Sequence, residues 1–457
     1  MESFHDYIEK NIENIKSDIA RLVNIPSVKS EPVPGAPYGE GVRNVQLECM
    51  KMCREMGFDV VDCDGRIAYA HYGSTERFIG IIAHLDVVPV GDGWFCDPFV
   101  CTERDGWLVG RGTCDDKGAF VLAAWAAKYL IDNNITMRYG IRLLMGLDEE
   151  TGMSDIEYYK DNYPMPVFTF TPDSGFSVGH GEKGIFEGNL ISFPVSGVIK
   201  SLTGGLASNV VPDKTVAVLD DSVADLLKPA ENISFVVDGE TVTVTASGIA
   251  KHASAPEGSL NSNAVMLDYL IGSGVLSDSE RKASEFLLSV LECTDGEVFG
   301  IACEDGVFTP LTIIGGMLDL VDGHLVLNLN SRYPTNMTPE RLENSISEKA
   351  DSNGFTLKTD MNSAPYYLSP DYPAVQILND IYNEVTGSDA KPYVMSGGTY
   401  ARHIENAVSY GPEFEDIDIP DWVGTPHMKN EAINIERCKQ ACEIYIRTLI
   451  RLQEIDL

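Results

Sequence analysis

Basic residues and long apolar runs are both scarce in this sequence. Its 457 residues include 34 lysines and arginines against 69 aspartates and glutamates, which gives a formal net charge of −35. A surface this acidic repels phosphate backbones, so we expect no nucleic-acid partner. No run approaches the ~20 apolar residues that a membrane span needs, so we expect no membrane partner. The N-terminus lacks the basic and apolar regions of a signal peptide, and we expect a cytoplasmic protein.

The cysteine patterns of structural metal sites and of disulfide frameworks are also missing. Ten cysteines are scattered along the chain, and none forms a Cys-x-x-Cys pair. Cys49 and Cys53, like Cys438 and Cys442, are four residues apart in segments with a helical pattern, which suits burial on one helix face. We therefore expect reduced thiols, as in the cytoplasm.

Short apolar runs alternate with helical patterns in the first part of the chain. Residues 78–83, 141–146 and 167–171 have the pattern of buried strands, and residues 118–130 that of a buried helix. Strands separated by helices predict an α/β fold with a doubly wound, mostly parallel sheet.

The pattern changes near Gly184. Residues 240–247 and 324–330 alternate polar and apolar side chains, which indicates half-buried antiparallel strands. We predict an inserted α+β domain made of two similar strand-and-helix units. The predicted domains are residues 1–183 and 366–457, which form one domain, and residues 184–365, which form the insertion.

Acidic and histidine residues follow the predicted strands. They occur as His84-x-Asp86, Asp115-Asp116, Asp148-Glu149-Glu150 and Asp173. The carboxyl ends of strands in a doubly wound sheet lie at one edge, so we expect these four clusters to converge. A lone histidine or aspartate at a strand end is more often a cap, but four clusters in succession favour a metal site. Imidazole and carboxylate together suit Zn²⁺ or Mn²⁺.

These motifs resemble those of the co-catalytic metallopeptidases, a family that includes aminoacylases, desuccinylases, glutamate-releasing carboxypeptidases and PepV-type dipeptidases. The resemblance spans nearly the whole chain. It also covers Gly112-x-x-Asp115-Asp116-Lys117-Gly118 and Gly424-Thr-Pro-His427-x-x-x-Glu431. Four further matches resemble the PepV-type dipeptidases: Gly181-Glu-Lys-Gly184, Asn209-Val-Val-Pro-Asp213, Asn330-Ser-Arg332-Tyr-Pro334 and Gly397-Gly-Thr-Tyr-Ala-Arg402.

The resemblance implies a site for two divalent metal ions. Zinc is the usual metal of the family, and manganese is an alternative. Asp115 would bridge the two ions, and its peptide bond to Asp116 would be cis. The remaining ligands would be His84 and Asp173 for one ion, and Glu150 and His427 for the other.

Two acidic residues beside these ligands have implied catalytic roles. Asp86 would orient His84 through the second ring nitrogen. Glu149 would take a proton from the attacking water and pass it to the leaving amine.

The resemblance also implies a set of substrate-binding residues. His252 would donate to the developing oxyanion, although a loop histidine outside such a motif usually has no role. Arg332 and Asn209 would bind the terminal carboxylate, for which a guanidinium is well suited. Gly397 and Gly398 are assigned to substrate binding on their motif.

The resulting prediction is a metal-dependent dipeptidase, with β-alanyl and Xaa-His dipeptides as first substrates. An N-acyl amino acid deacylase such as a desuccinylase is the alternative, and a non-catalytic metal-bearing binding protein is a distant one. The resemblance implies that residues 1–183 and 366–457 form the catalytic domain and that residues 184–365 form its lid. This lid is longer than the dimerising lid of many relatives, so we predict a monomer.

Overall fold

The computed structural model describes residues 3–414 and 416–457, which divide into two compact units. The first unit runs to Gly181 and includes Tyr367–Tyr393 and Gly398–Leu457, and the second comprises Glu182–Tyr366 and Val394–Gly397. The assignment of residues 184–365 as a lid stays a prediction.

The described residues contain the following helices and strands. The helices are α1 (Phe4–Val23), α2 (Glu40–Met56), α3 (Lys117–Asp132), α4 (Ser154–Asn162), α5 (Ser262–Ser273), α6 (Asp278–Leu291), α7 (Pro339–Ser352), α8 (Pro373–Thr386) and α9 (Ile435–Arg451). The strands of the first half are β1 (Asp59–Cys63), β2 (Ile67–Tyr72), β3 (Phe78–His84), β4 (Thr102–Arg104), β5 (Trp107–Val109), β6 (Gly140–Gly146), β7 (Phe168–Thr171), β8 (Ser174–Gly175), β9 (Gly179–Glu182), β10 (Gly184–Ile191), β11 (Ile199–Gly204) and β12 (Val210–Val211). The later strands are β13 (Lys214–Asp220), β14 (Ile233–Asp238), β15 (Thr241–Ser247), β16 (Lys251–His252), β17 (Thr312–Val321), β18 (His324–Tyr333), β19 (Thr356–Ser363), β20 (Tyr366–Tyr367), β21 (Tyr393–Met395), β22 (Ala407–Ser409), β23 (Pro412–Glu413) and β24 (Ala432–Asn434).

The first unit is built on a mixed sheet whose centre is parallel. Its strands follow the order β1-β2-β6-β3-β7-β22, and β6, β3, β7 and β22 are mutually parallel neighbours. Every residue of β3 and β6 is buried, as expected for strands covered on both faces. This arrangement confirms the predicted α/β class and places the carboxyl ends of the central strands at one edge.

Helix α3 is the most buried helix of the first unit. Its alanine-rich sequence brings it close to the sheet and to α1 and α9, and residues 117–127 are all buried. Burying a large apolar side chain such as Phe120 contributes about 1.5–3 kcal/mol, so this packing anchors the loop that precedes the helix. None of the described helices has both the length and the apolar character needed to cross a membrane.

The second unit is an antiparallel sheet covered by helices. Its strand order is β14-β15-β13-β11-β17-β18-β10-β19, and α5, α6 and α7 pack on its core. In β15 the buried residues are Val242, Val244 and Ala246, which alternate with half-exposed threonines as predicted. The two predicted strand-and-helix units share one continuous sheet, because β11 pairs directly with β17.

Helix α6 was not predicted from apolar periodicity. Its start is fixed by a capping box, in which Ser277 and Glu280 each accept a hydrogen bond from the other's backbone N–H. This local signal was present in the sequence and identifies the helix.

Candidate active site

The four predicted clusters converge at the carboxyl edge of the parallel strands. His84 is the last residue of β3, and it lies in register with Gly146, the last residue of β6. Asp173 follows β7 by two residues, and Asp115 lies in the loop that precedes α3. Because β6, β3 and β7 are parallel neighbours, their ends bring these side chains together.

Two groups of side chains share one carboxylate. The His84 Nε2 atom lies 2.9 Å from Asp115 Oδ1 and 3.8 Å from Asp173 Oδ2. The His427 Nε2 atom lies 3.0 Å from Asp115 Oδ2 and 3.2 Å from Glu150 Oε2. Asp115 therefore turns one oxygen to each group, and its peptide bond to Asp116 is cis, as the resemblance implies.

The chemistry of the donor atoms fits divalent cations. His84 Nδ1 lies 2.9 Å from the backbone oxygen of Asp86, so this nitrogen carries a proton, and Nε2 is the atom left to face the carboxylates. Among the described residues the buried Nε2 atom makes no hydrogen bond of regular geometry, and the same is true of Glu150 Oε1. The lone pair of a neutral imidazole would be repelled by the carboxylate oxygens, and a cation between these atoms, a metal ion or a proton, removes this repulsion.

The pKa values of the two histidines in the metal-free chain also favour cations at this site. Burial opposes a charge on His84, yet the contact with Asp115 outweighs it and raises the pKa of His84 well above its usual value. Contacts with Asp115 and then Glu150 raise the pKa of His427 to about 10. The carboxylates thus draw positive charge to both imidazoles, the two positions where the sequence predicts metal ions.

The contact between His84 and Asp86 differs from the predicted one. The backbone carbonyl of Asp86 accepts the His84 proton, whereas the Asp86 carboxylate lies 3.6 Å from Nδ1. That carboxylate instead accepts the backbone N–H groups of Glu149 and Glu150, at 3.3 and 3.2 Å. Through these two contacts the Asp86 carboxylate positions the Glu149–Glu150 segment in the loop after β6.

Glu149 lies beside both groups and belongs to neither. It opens the short 3-10 helix Glu149–Thr151. Burial, followed by the negative charge of Asp173, raises the pKa of Glu149 well above its usual value. A carboxyl group of this kind has the raised basicity expected of a general base.

Comparison with known proteins shows the family of this chain. A family model described as peptidase family M20/M25/M40 matches residues 80–451. The chain belongs to this family.

Individual proteins and solved structures match over nearly the full length. The chain is 28% identical to "Putative dipeptidase YtjP" of Bacillus subtilis (strain 168), over 96% of this chain and 97% of that protein. The solved structure of the dipeptidase Dug1p from Saccharomyces cerevisiae has a TM-score of 0.62 at 13% identity, covering 99% and 98% of the two chains. YXEP of Bacillus subtilis, described as a dinuclear metal-binding M20 peptidase, has a TM-score of 0.51 at 12% identity, covering 98% and 99%.

Family membership and the two side-chain groups confirm the predicted enzyme class. This M20 member is a hydrolase of the dinuclear metallopeptidase type. The solved structures are too distant in sequence to show more than the shared fold.

The second unit of this M20 member holds four of the predicted substrate-binding residues: Asn209, His252, Arg332 and Gly397. His252 is an exposed residue of β16, and the carbonyl of Asn209 accepts the backbone N–H of Ala253 beside it. Arg332 is buried on β18, and its Nη1 donates to Asn330 Oδ1 at 2.8 Å. Partial desolvation and then the positive charge of Arg332 lower the pKa of His252.

The two predicted glycines have different surroundings. A Cβ atom on Gly398 would lie 2.7 Å from the guanidinium of Arg402, so a larger residue here would displace the end of that side chain. A Cβ on Gly397 would meet only the terminal methyl group of Met395, at 3.8 Å. The role of both glycines in substrate binding stays a prediction.

Three residues with no role predicted from the sequence support the site. Asp155 accepts the backbone N–H groups of Leu147 and Asp148 at 2.6 and 3.2 Å, and the Tyr400 hydroxyl at 2.6 Å. Glu431 accepts three backbone N–H groups of the Asp115 loop. Tyr400 and Glu431 both lie in motifs that carry the family resemblance. A polar side chain within such a motif was the sequence signal that could have identified them.

Proposed function

We propose that this M20 member hydrolyses dipeptides with the help of two divalent metal ions. The observation that carries the proposal is the Asp115 carboxylate, which turns one oxygen to His84 and the other to His427. A carboxylate shared in this way suits two cations that need negative charge between them. Relatives named as dipeptidases that align over nearly the full length support the substrate class.

The five proposed ligands divide between the two ions. His84 and Asp173 would hold one, Glu150 and His427 the other, and Asp115 both. Bound there, the ions would lower the pKa of a water molecule toward neutrality and polarise the scissile carbonyl.

The proposed proton carrier is Glu149. Its carboxylate would accept the proton of the attacking water and deliver it to the nitrogen of the leaving amine. Its backbone is held by the Asp86 carboxylate, which would keep the base and the neighbouring ligand Glu150 in fixed relation.

Three of the proposed substrate-binding residues come from the predicted lid. Arg332 and Asn209 would bind the carboxylate of the dipeptide, and His252 would donate to the oxyanion. Arg332 is buried and its guanidinium is oriented by Asn330, which supports a fixed binding geometry. Gly397 and Gly398 would line the substrate path.

Three finer points belong to the same proposal. We propose zinc as the metal, with manganese as the alternative, because two imidazoles and three carboxylates accept either. We propose a monomer, since His252 and Arg332 lie in one compact unit of one chain. We propose a cytoplasmic location, which suits the ten free thiols.

A substrate panel tests the proposal directly. The chain is freed of metal and supplied with Zn²⁺ or Mn²⁺, and β-alanyl and Xaa-His dipeptides are compared with N-acyl amino acids. We expect metal-dependent release of amino acids from the dipeptides. Preferential cleavage of N-acyl amino acids would indicate a deacylase, and two bound ions without turnover of either class would indicate a binding protein.

A further inference from the structure

A buried glutamate connects two of the chain segments that reach the candidate metal centre. Glu431 is fully buried and immediately precedes β24, which pairs with β5 so that Ala432 faces Val109. From β5 the chain continues to Asp115, and just before β24 it passes through His427. Glu431 therefore lies where the segments carrying these two residues meet.

The Glu431 carboxylate holds the loop that carries Asp115. Its Oε1 atom accepts the backbone N–H groups of Gly112, Cys114 and Asp115, at 3.0, 3.0 and 3.1 Å. An anion that accepts several backbone N–H groups fixes a loop strongly, and losing it would leave these donors without an acceptor. The Asp115 backbone is thus tied directly to Glu431.

Arg111 extends the connection to His427. Its Nη1 donates to Glu431 Oε2 at 2.5 Å, and both side chains are buried. Its Nη2 donates to the backbone carbonyl of His427 at 3.1 Å. His427 has a φ of +66°, a left-handed conformation that is unusual for a residue other than glycine and that needs support from its surroundings.

We propose that Glu431, acting through Arg111, is a positioning residue that sets the distance between Asp115 and His427. This inference rests on the proposed metal centre. A carboxylate oxygen and an imidazole bind one ion well only when their separation is fixed, and residues that orient ligands typically change metal affinity 10- to 100-fold. A purely structural ion pair would instead affect stability and leave metal affinity unchanged.

The test compares Glu431→Gln with Glu280→Gln. Glu280 is equally buried and also accepts three backbone N–H groups, from Val198, Ile199 and Ser277, but it lies in the second unit. In Glu431→Gln the amide NH₂ would face the Arg111 guanidinium, so two hydrogen-bond donors would meet without an acceptor between them. Binding of Co²⁺ to the full-length metal-free proteins is followed by absorption spectroscopy and calorimetry, and thermal unfolding is recorded in parallel.

We expect Glu431→Gln to weaken Co²⁺ binding about 10- to 100-fold and to alter the Co²⁺ spectrum. Glu280→Gln should lower the melting temperature and leave Co²⁺ affinity unchanged. Arg111→Lys provides a second, milder variant, because lysine cannot contact both Glu431 and the His427 carbonyl. It should also weaken Co²⁺ binding, even if Glu431→Gln fails to fold.

The outcomes separate this inference from the metal centre on which it rests. The positioning role alone would be overturned if a folded Glu431→Gln protein bound Co²⁺ with wild-type affinity and spectrum. If Glu431→Gln does not fold, the same result in Arg111→Lys would overturn it. A wild-type chain that binds fewer than two Co²⁺ ions would overturn the metal centre and the inference together.

Discussion

Replacement of Glu149 by glutamine is the most direct test of the proposed chemistry. The amide has nearly the same size as the carboxyl group, and Glu149 belongs to neither group of proposed ligands. The backbone N–H groups of Glu149 and Glu150 would remain bound to Asp86. We therefore expect two metal ions to bind as in the wild type while proton transfer is lost.

The size of the effect follows from the single role assigned to this carboxylate. General-base catalysis typically accelerates a reaction 10²- to 10⁴-fold, so kcat should fall by a factor within this range or larger. At ~1.36 kcal/mol per tenfold change, the barrier rises by about 2.7–5.4 kcal/mol. Since burial and the charge of Asp173 disfavour the ionised Glu149 carboxylate, its removal should not destabilise the metal-free chain.

The assay measures kcat and KM on a dipeptide, metal content by mass spectrometry and the melting temperature. Glu157→Gln is a suitable control, because Glu157 is a surface carboxylate on α4 that pairs with His403 and Lys160. It should retain wild-type kcat. Near-wild-type kcat in Glu149→Gln with both ions bound would refute the general-base role, whereas loss of an ion would show that Glu149 is a ligand.

Three further results are expected. Asp115→Ala should lose both ions together, whereas His427→Ala should lose mainly one. If mass spectrometry finds two ions in the Asp115→Ala protein, the bridging role is contradicted. Arg332→Lys should lower kcat/KM for dipeptides strongly, because lysine lacks the paired donors of a guanidinium. Dipeptide amides should be poor substrates of the wild type, and cleavage of amides as fast as free acids would exclude a carboxylate-binding arginine. Light scattering should give the mass of one chain, and an obligate dimer would contradict the predicted monomer. In a series of peptides of increasing length, dipeptides should be cleaved best, and equal cleavage of tripeptides would contradict the predicted preference.

Local patterns in the sequence were sufficient to predict where three of the proposed ligands lie, whereas His427 was assigned only through the family resemblance. The apolar run 78–83 predicted β3, and a histidine directly after a buried parallel strand must lie at the edge where neighbouring strands also end. The same reasoning placed Asp173 and Glu150 at that edge. These predictions needed only periodicity and the geometry of parallel sheets, which act over a few residues.

Contacts between distant segments were decided by the tertiary structure alone. The Asp86 carboxylate contacts the backbone of Glu149 and Glu150 more than 60 residues away, and Glu431 contacts the Asp115 loop more than 300 residues away. A carboxylate in a sequence motif can be a ligand, a base or an acceptor for backbone N–H groups. Which of these it becomes depends on the atoms that folding places within about 3 Å, and no local pattern specifies them.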